Sequence, residues 1–352
     1  MKMNDRIDVI ATTISGPIKD WGKLPRIVPL FREKGMQDVT LHAVDSHHEA
    51  RRKTGELVRG GGRTVISAGG SGTFNAVLEG CFDAGVDLGA LRLGFLRKGS
   101  ADLIGKVLGM PDEIEEAVEV LVEAILNDSR ISCDVLQASD GGGITPSRRF
   151  AGYGGAVIFG EIPRFTENRF IKYYKGIFSQ LLGDLGPFFI GMSLATINKL
   201  LKQAVGGRRE WEIRVDGKSV ARGYFQVMII VNGDLGPNLP FARGVPLGSG
   251  DFHLFALRDI GVLKLAGQVR HAWDATVLEE PGRWGFEAFR AAGDLEILAA
   301  DGGPFPLNVD GSTMNCHGSA GVRIVDQLNL LAAGRGGSQA SNTANTFRVP
   351  AE

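Results

Sequence analysis

Apolar and polar residues follow two alternating periods over the first third of the chain. Short β-branched runs at residues 8–13, 38–44, 64–69 and 91–96 predict four strands. Helix-favouring segments separate them, one from Leu24 to beyond Phe31, closed by Gly35, and one over residues 49–59, closed by Gly60, Gly61 and Gly62. After the third strand, Phe74, Val77, Leu78, Cys81 and Phe82 fall at i, i+3, i+4, i+7 and i+8, one apolar face of a helix. A further helix starts at Pro111-Asp112. Its buried stripe is Ile114, Val118, Leu121, Val122 and Ile125, and Glu113, Glu115, Glu116, Glu119 and Glu123 face water. Strands alternating with helices predict an α/β domain, a parallel sheet with helices on both faces. Ligands of such sheets sit beyond the C-terminal strand ends.

Near Ile131 the pattern changes. Residues 131–138, 149–159, 211–215, 220–231, 251–257 and 294–299 read as strands, and Val215-Asp216-Gly217-Lys218 as a hairpin turn. Two longer helical stretches interrupt them, 168–205 with breaks at glycines, and 262–273. The second domain is therefore expected to be mainly antiparallel and β-rich. Residues 334–352, rich in Gly, Ser, Ala and Asn, read as a flexible tail.

At 352 residues the chain exceeds the usual size of a single core, in keeping with two domains. A net charge of −1 speaks against nucleic-acid binding by bulk charge. Cys81, Cys133 and Cys316 are too scattered for a metal cluster or a disulfide framework, which suits a cytoplasmic setting. The polar first residues lack the apolar core of a signal peptide. The most membrane-like run, 185–197, is too short to span; a buried helix is its plain reading and transient contact with a membrane surface the lesser one.

The chemistry concentrates at two glycine-rich loops, each at a strand end. The first is Gly69-Gly70-Ser71-Gly72-Thr73, with Asn75 two residues on. Glycine lets a ligand approach the backbone, and the first-turn N–H groups and helix dipole favour an anion such as phosphate, although many such turns are merely tight. Substituting Gly70 or Gly72 is therefore expected to block the approach. The second loop, Arg97-Lys98-Gly99-Ser100-Ala101-Asp102, brings two cations that either meet phosphate or are simply solvated. Asp102 is also placed to cap the following helix. His47-His48 reads as surface, and Cys316-His317 lacks the features of a nucleophile and its base.

Taken in order, these motifs resemble the diacylglycerol kinase catalytic family, which includes sphingosine kinases and, more distantly, NAD kinases. The glycine loop matches the family's Gly-Gly-Asp-Gly-Thr, and Thr12-Thr13-Ile14-Ser15-Gly16 its Asn-Pro-x-Ser-Gly loop. Arg97 to Leu103 followed by Gly109-Met110-Pro111 matches its second phosphate loop. Val231-Asn232-Gly233-Asp234, Pro240-Phe241-Ala242 and Gly248-Ser249-Gly250-Asp251-Phe252 match its second domain, and Val309-Asp310-Gly311-Ser312 its late Asp-Gly-Glu.

The resemblance implies a nucleotide-binding domain over 1–130, an acceptor-binding domain over 131–316, and a return to the first over 317–333. It implies ATP and Mg2+ as cofactors. The nucleotide would be held by Ser15, Gly16, Gly69, Gly70, Ser71, Gly72, Thr73, Asn75, Arg97, Lys98, Gly99 and Ser100, with reaction in the interdomain cleft. Asp310 would be the base that activates a lipid hydroxyl. Serine replaces family acids at Ser71, Ser249 and Ser312, which thins the metal site and leaves its ligands unassigned. Alternative expectations are a kinase for a non-lipid alcohol or a dinucleotide, or a nucleotide- or lipid-binding protein without catalysis.

Overall fold

A computed structural model describes residues 6–12, 22, 24–97, 103–166, 208–236, 241–273 and 276–333, to which all structural statements below refer. The expected helix at 168–205, the membrane-like run and the 334–352 tail lie outside them. The chain forms two units. The first takes Met1–Cys133 and resumes at Asp326, and the second takes Asp134–Val325.

The first unit runs β1 (Ile7–Thr12), α1 (Leu24–Glu33), β2 (Val39–Val44), α2 (His47–Arg59), β3 (Thr64–Gly69), α3 (Ser71–Asp83), β4 (Arg92–Arg97), α4 (Leu103–Val107) and α5 (Ile114–Leu126). Strand order is β2-β1-β3-β4, all parallel. β1 and β3 are buried along their whole length, as expected of strands covered on both faces. α1 packs with α5, and α2 with α3. The α3 stripe is placed as its periodicity requires, with Phe74, Val77, Leu78 and Cys81 buried.

The connections from β1 and β3 leave in opposite directions along the sheet. The C-terminal ends of these adjacent strands therefore form a topological switch point, where open α/β sheets bind ligands. α2 and α3 approach closely because two glycines face each other. A Cβ on Gly80 would lie 2.4 Å from the Arg51 carbonyl oxygen, and one on Gly55 would lie 3.2 Å from that of Gly80.

The second unit contains most of β5 (Arg130–Asp140), then β6 (Arg148–Phe150), β7 (Tyr153–Val157), α6 (Ile158–Thr166), β8 (Trp211–Val215), β9 (Lys218–Gly223), β10 (Phe225–Val231) and β11 (Phe252–Arg258). It continues with α7 (Val262–Trp273), α8 (Pro281–Trp284), β12 (Phe286–Ala291), β13 (Leu295–Ala299), β14 (Pro304–Val309), β15 (Ser312–His317) and β16 (Ser319–Leu331). One antiparallel sheet has the order β12-β11-β10-β7-β14-β15. The other runs from the start of β16 through β13, β8 and β9, with β5 beside β16 and β6 beside β5. Their inner faces share a core that includes Leu136, Phe150, Trp211, Ile213, Met228, Phe252, Leu254 and Phe305. Trp211 and Phe305 meet edge to face with ring centroids 4.9 Å apart. The end of β16 returns to the first unit and pairs in parallel with β4.

The mixed architecture and the β8–β9 hairpin agree with the sequence reading; Asp216 and Gly217 take the positive φ values, 50° and 76°, of a two-residue turn. Two expected strands are broken. The 149–159 run becomes β6, β7 and α6, because the amides of residues 151–153 turn to a side chain, and Val157 has φ 63°. The 220–231 run divides at Gly223, where φ is 145°.

Candidate functional site

The glycine turn takes its form from close packing. Gly70 is the residue before α3, and Thr73 and Phe74 donate their amides to its carbonyl. The amides of Ser71 and Gly72 open the helix and have no intrahelical acceptor. A Cβ on Gly69 would lie 2.3 Å from Thr73 Oγ1, so this glycine seats the helix on the strand end. Among the described residues, a Cβ on Gly70 would meet nothing within 4 Å, so they leave the turn open on that side. A Cβ on Gly72 would lie 2.7 Å from Cε1 of His47. The three glycines thus have three different reasons. Only Gly70 faces open space.

Asn75 stands one helical turn after Ser71, on the same face of α3. Thr73 hydroxyl meets that of Thr12 at 2.6 Å, both buried, which ties α3 to the end of β1 at the switch point. Sequence reasoning gave Thr12 no role of its own; the hydroxyl at a strand end beside the glycine turn was the available signal. Ser15, Gly16, Lys98, Gly99, Ser100 and Asp102 lie outside the described residues.

Arg97 is level with Gly69 across β3 and β4, at the same end of the sheet. Its side chain is buried rather than solvated. The guanidinium donates to the Met110 carbonyl at 3.1 Å and meets Asp112 Oδ1 at 2.9 Å, which secures the segment after α4. No acidic residue stands in the first turn of α3. Among the described residues, no three His, Cys, Asp or Glu side chains gather to hold a metal ion.

Asp310 and Gly311 form the two-residue turn between β14 and β15, with φ 44° and 82°. The Asp310 side chain is buried, and its carboxylate accepts from the amides of Ala151 at 3.0 Å, Gly152 at 3.4 Å and Tyr153 at 2.8 Å. Burial pushes its pKa up from 3.8 to about 6, against these three donors. Asp310 therefore clamps the β14–β15 turn to the β6–β7 junction. Asn232 completes that junction, donating to the carbonyls of Asp134 at 2.7 Å and Ala151 at 2.8 Å. Asp134 in turn accepts from the Gly250 amide at 2.7 Å. Ser249 spends its hydroxyl on Asp251, 2.6 Å away. Asp134 and Asp251 were not foreseen, since neither lies in a motif position that calls for a carboxylate.

Residues 6–133 match the family model described as the diacylglycerol kinase catalytic domain, so the resemblance read from the sequence holds over that stretch. Among solved structures, the chain is similar to a diacylglycerol kinase from Bacillus anthracis str. Sterne, with TM-score 0.61 and 14% identity, over 93% of this chain and 97% of that one. It is also similar to an NAD kinase from Archaeoglobus fulgidus in complex with ATP, with TM-score 0.51 and 10% identity, over 93% and 94%. At those identities the likeness is one of fold. No curated protein matches the chain. Among the described residues, no helix is long and apolar enough to cross a membrane.

Proposed function

We propose that the chain is a lipid kinase-like phosphotransferase that holds ATP at the β3–α3 turn and phosphorylates the hydroxyl of a lipid alcohol. The observation that carries this reading is the open side of Gly70 beside the Ser71 and Gly72 amides, at a switch point within the family match. The residues fit a polyphosphate: a 13-residue helix begins at the turn, and among the described residues no atom lies within 4 Å of where a Cβ on Gly70 would stand. ATP would supply the γ-phosphoryl group. Ser71 and Gly72 would hold its oxygens, and Thr12 would hold Thr73, and so the turn, in place.

The fit to Mg2+ is poorer. Serine stands where the family has a carboxylate, and the first turn of α3 has no acid, so no step is routed through the metal. Asp310 is the proposed base. Three amides leave one of its four lone pairs for a hydroxyl proton. The proposed setting is the cytoplasmic surface of a membrane, where lipid alcohols are presented.

A second reading, a nucleotide-binding protein without transfer, is favoured by Ser71, Ser249 and Ser312 in place of family acids. A third, a dinucleotide or other alcohol as acceptor, draws on the NAD kinase fold likeness. Incubating the purified protein with γ-labelled ATP and a panel of diacylglycerol, sphingoid base, NAD and simple alcohols separates the three. Label in the lipid product is expected. Label in NAD alone would replace the acceptor, and ATP binding without transfer to anything would establish the second reading.

A further inference from the structure

Mg2+ is ordinarily held by one or two carboxylates together with the phosphates of the substrate. In this chain the described carboxylates of the matching motifs are committed to protein donors. Asp112, which follows the second loop, meets the Arg97 guanidinium at 2.9 Å. In the second unit, Asp134 accepts from the Gly250 amide, and Asp234 from the amides of Gly236 at 2.9 Å and Gly244 at 2.8 Å. Asp251 is paired with Arg290 and bonded by Ser249. Asp310 takes three amides. Guanidinium groups and backbone amides thus supply the positive partners that a divalent cation would otherwise supply. Another described acid at the C-terminal end of the parallel sheet is Asp45, exposed just after β2. β2 lies two strands from β3, about 10 Å at ordinary strand spacing.

Ser71 changes what the turn asks of its ligand. A carboxylate in the first turn of α3 would repel a phosphate beside it unless a cation lay between them. A serine hydroxyl carries no charge and can donate a hydrogen bond to a phosphate oxygen. The Ser71 and Gly72 amides, at the N-terminal end of the 13-residue α3, then meet the anion directly. A divalent cation on the phosphates would cancel part of the charge to which they respond.

We infer that Ser71 makes the turn select the polyphosphate anion free of Mg2+, so that the nucleotide binds without a divalent cation held by the protein. This rests on the proposed nucleotide site but not on phosphate transfer or on the acceptor. The test therefore reads binding and transfer separately.

The probes are ATP and inorganic tripolyphosphate, each titrated calorimetrically in excess Mg2+ and in EDTA. Both are expected to bind the wild type in EDTA at least as tightly as in Mg2+. Ser71→Asp places an acid in the first turn of a helix, where it favours folding, so the variant should melt no lower than the wild type. In EDTA it should bind both probes at least about 10-fold more weakly than the wild type, and Mg2+ should restore most of the loss.

A wild-type affinity that falls about 10-fold or more in EDTA would overturn the inference. If Asp45→Asn then removed that dependence, the metal would be held after β2 instead. Ser71→Asp that binds in EDTA as the wild type does would also overturn it, because residue 71 would not face the anion. Tripolyphosphate bound in EDTA, with no label passing from ATP to any acceptor, supports the inference and overturns the kinase reading alone. Transfer from ATP that binds only with Mg2+ does the reverse, and no binding of either probe in either medium overturns both.

Discussion

Gly69 and Gly70 are neighbours in one turn, yet alanine should affect them in opposite ways. At Gly70 the backbone has φ −98° and ψ −174°, open to any residue, and a Cβ meets nothing within 4 Å. Gly70→Ala should therefore fold normally and gain about 0.4–1 kcal/mol from a less flexible unfolded chain. The same methyl occupies the space through which phosphate must reach the Ser71 and Gly72 amides. Hydrogen bonds to a charged oxygen contribute about 1.5–3 kcal/mol, so losing one weakens ATP binding about 10- to 100-fold. At Gly69 the methyl would stand 2.3 Å from Thr73 Oγ1 and 2.7 Å from its Cβ. Thr73 is buried and bonded to Thr12, so it cannot yield without parting from β1. Gly69→Ala should cost about 1–3 kcal/mol, the usual penalty of overpacking. Gly72 is a poorer probe than the sequence implies, because a substitution there meets the His47 ring before any ligand. Thermal denaturation and calorimetric titration with ATP read both effects. Wild-type ATP affinity in a stable Gly70→Ala protein would refute the phosphate turn, and an undisturbed Gly69→Ala protein would refute the packing account.

The Asp310 clamp offers the next test. Asp310→Asn presents an amide NH2 to at least one of the three backbone donors, so it should lower stability by about 1–3 kcal/mol. If Asp310 is also the base, turnover per folded molecule should fall about 10²–10⁴-fold, and activity that survives removes it from that role. Because its folded pKa is raised from 3.8 to about 6, the native state binds the extra proton between those values. Its contribution to stability is complete below 3.8 and lost as pH rises through about 6, so Asp310→Asn should flatten the pH dependence of unfolding in that window. For the Thr12–Thr73 pair, Thr12→Val or Thr73→Val alone should cost about 1–3 kcal/mol, and the double variant less than the sum, measured as a double-mutant cycle in urea.

The regular part of the fold was legible because its signals are periodic. The stripe of α3 and the β-branched runs of β1 and β3 need no distant information. The failures fall where a distant side chain intervenes. Nothing near Ala151 announces that an aspartate far along the chain will take the amides of residues 151–153 and divide a strand there. β12, β15 and β16 escaped notice since their exposed faces dilute the apolar alternation. At the site, the glycine motif located the turn, but only the packing assigns each glycine its reason. His47 read as surface and is exposed, yet a side chain at Gly72 would meet its ring and have to displace it.

The path of β16 bears on how the protein is made. Its first half pairs with β13, in the second unit, and its end pairs with β4, through Asn329 with Arg92 and Leu330 with Leu93. During synthesis β4 emerges long before that partner exists. The first unit must wait with one flank of its parallel sheet uncovered while the whole second unit is translated. Such an edge invites pairing with another nascent chain. Truncation before Asp326 would make that interim state permanent, even though it removes nothing from the glycine turn itself.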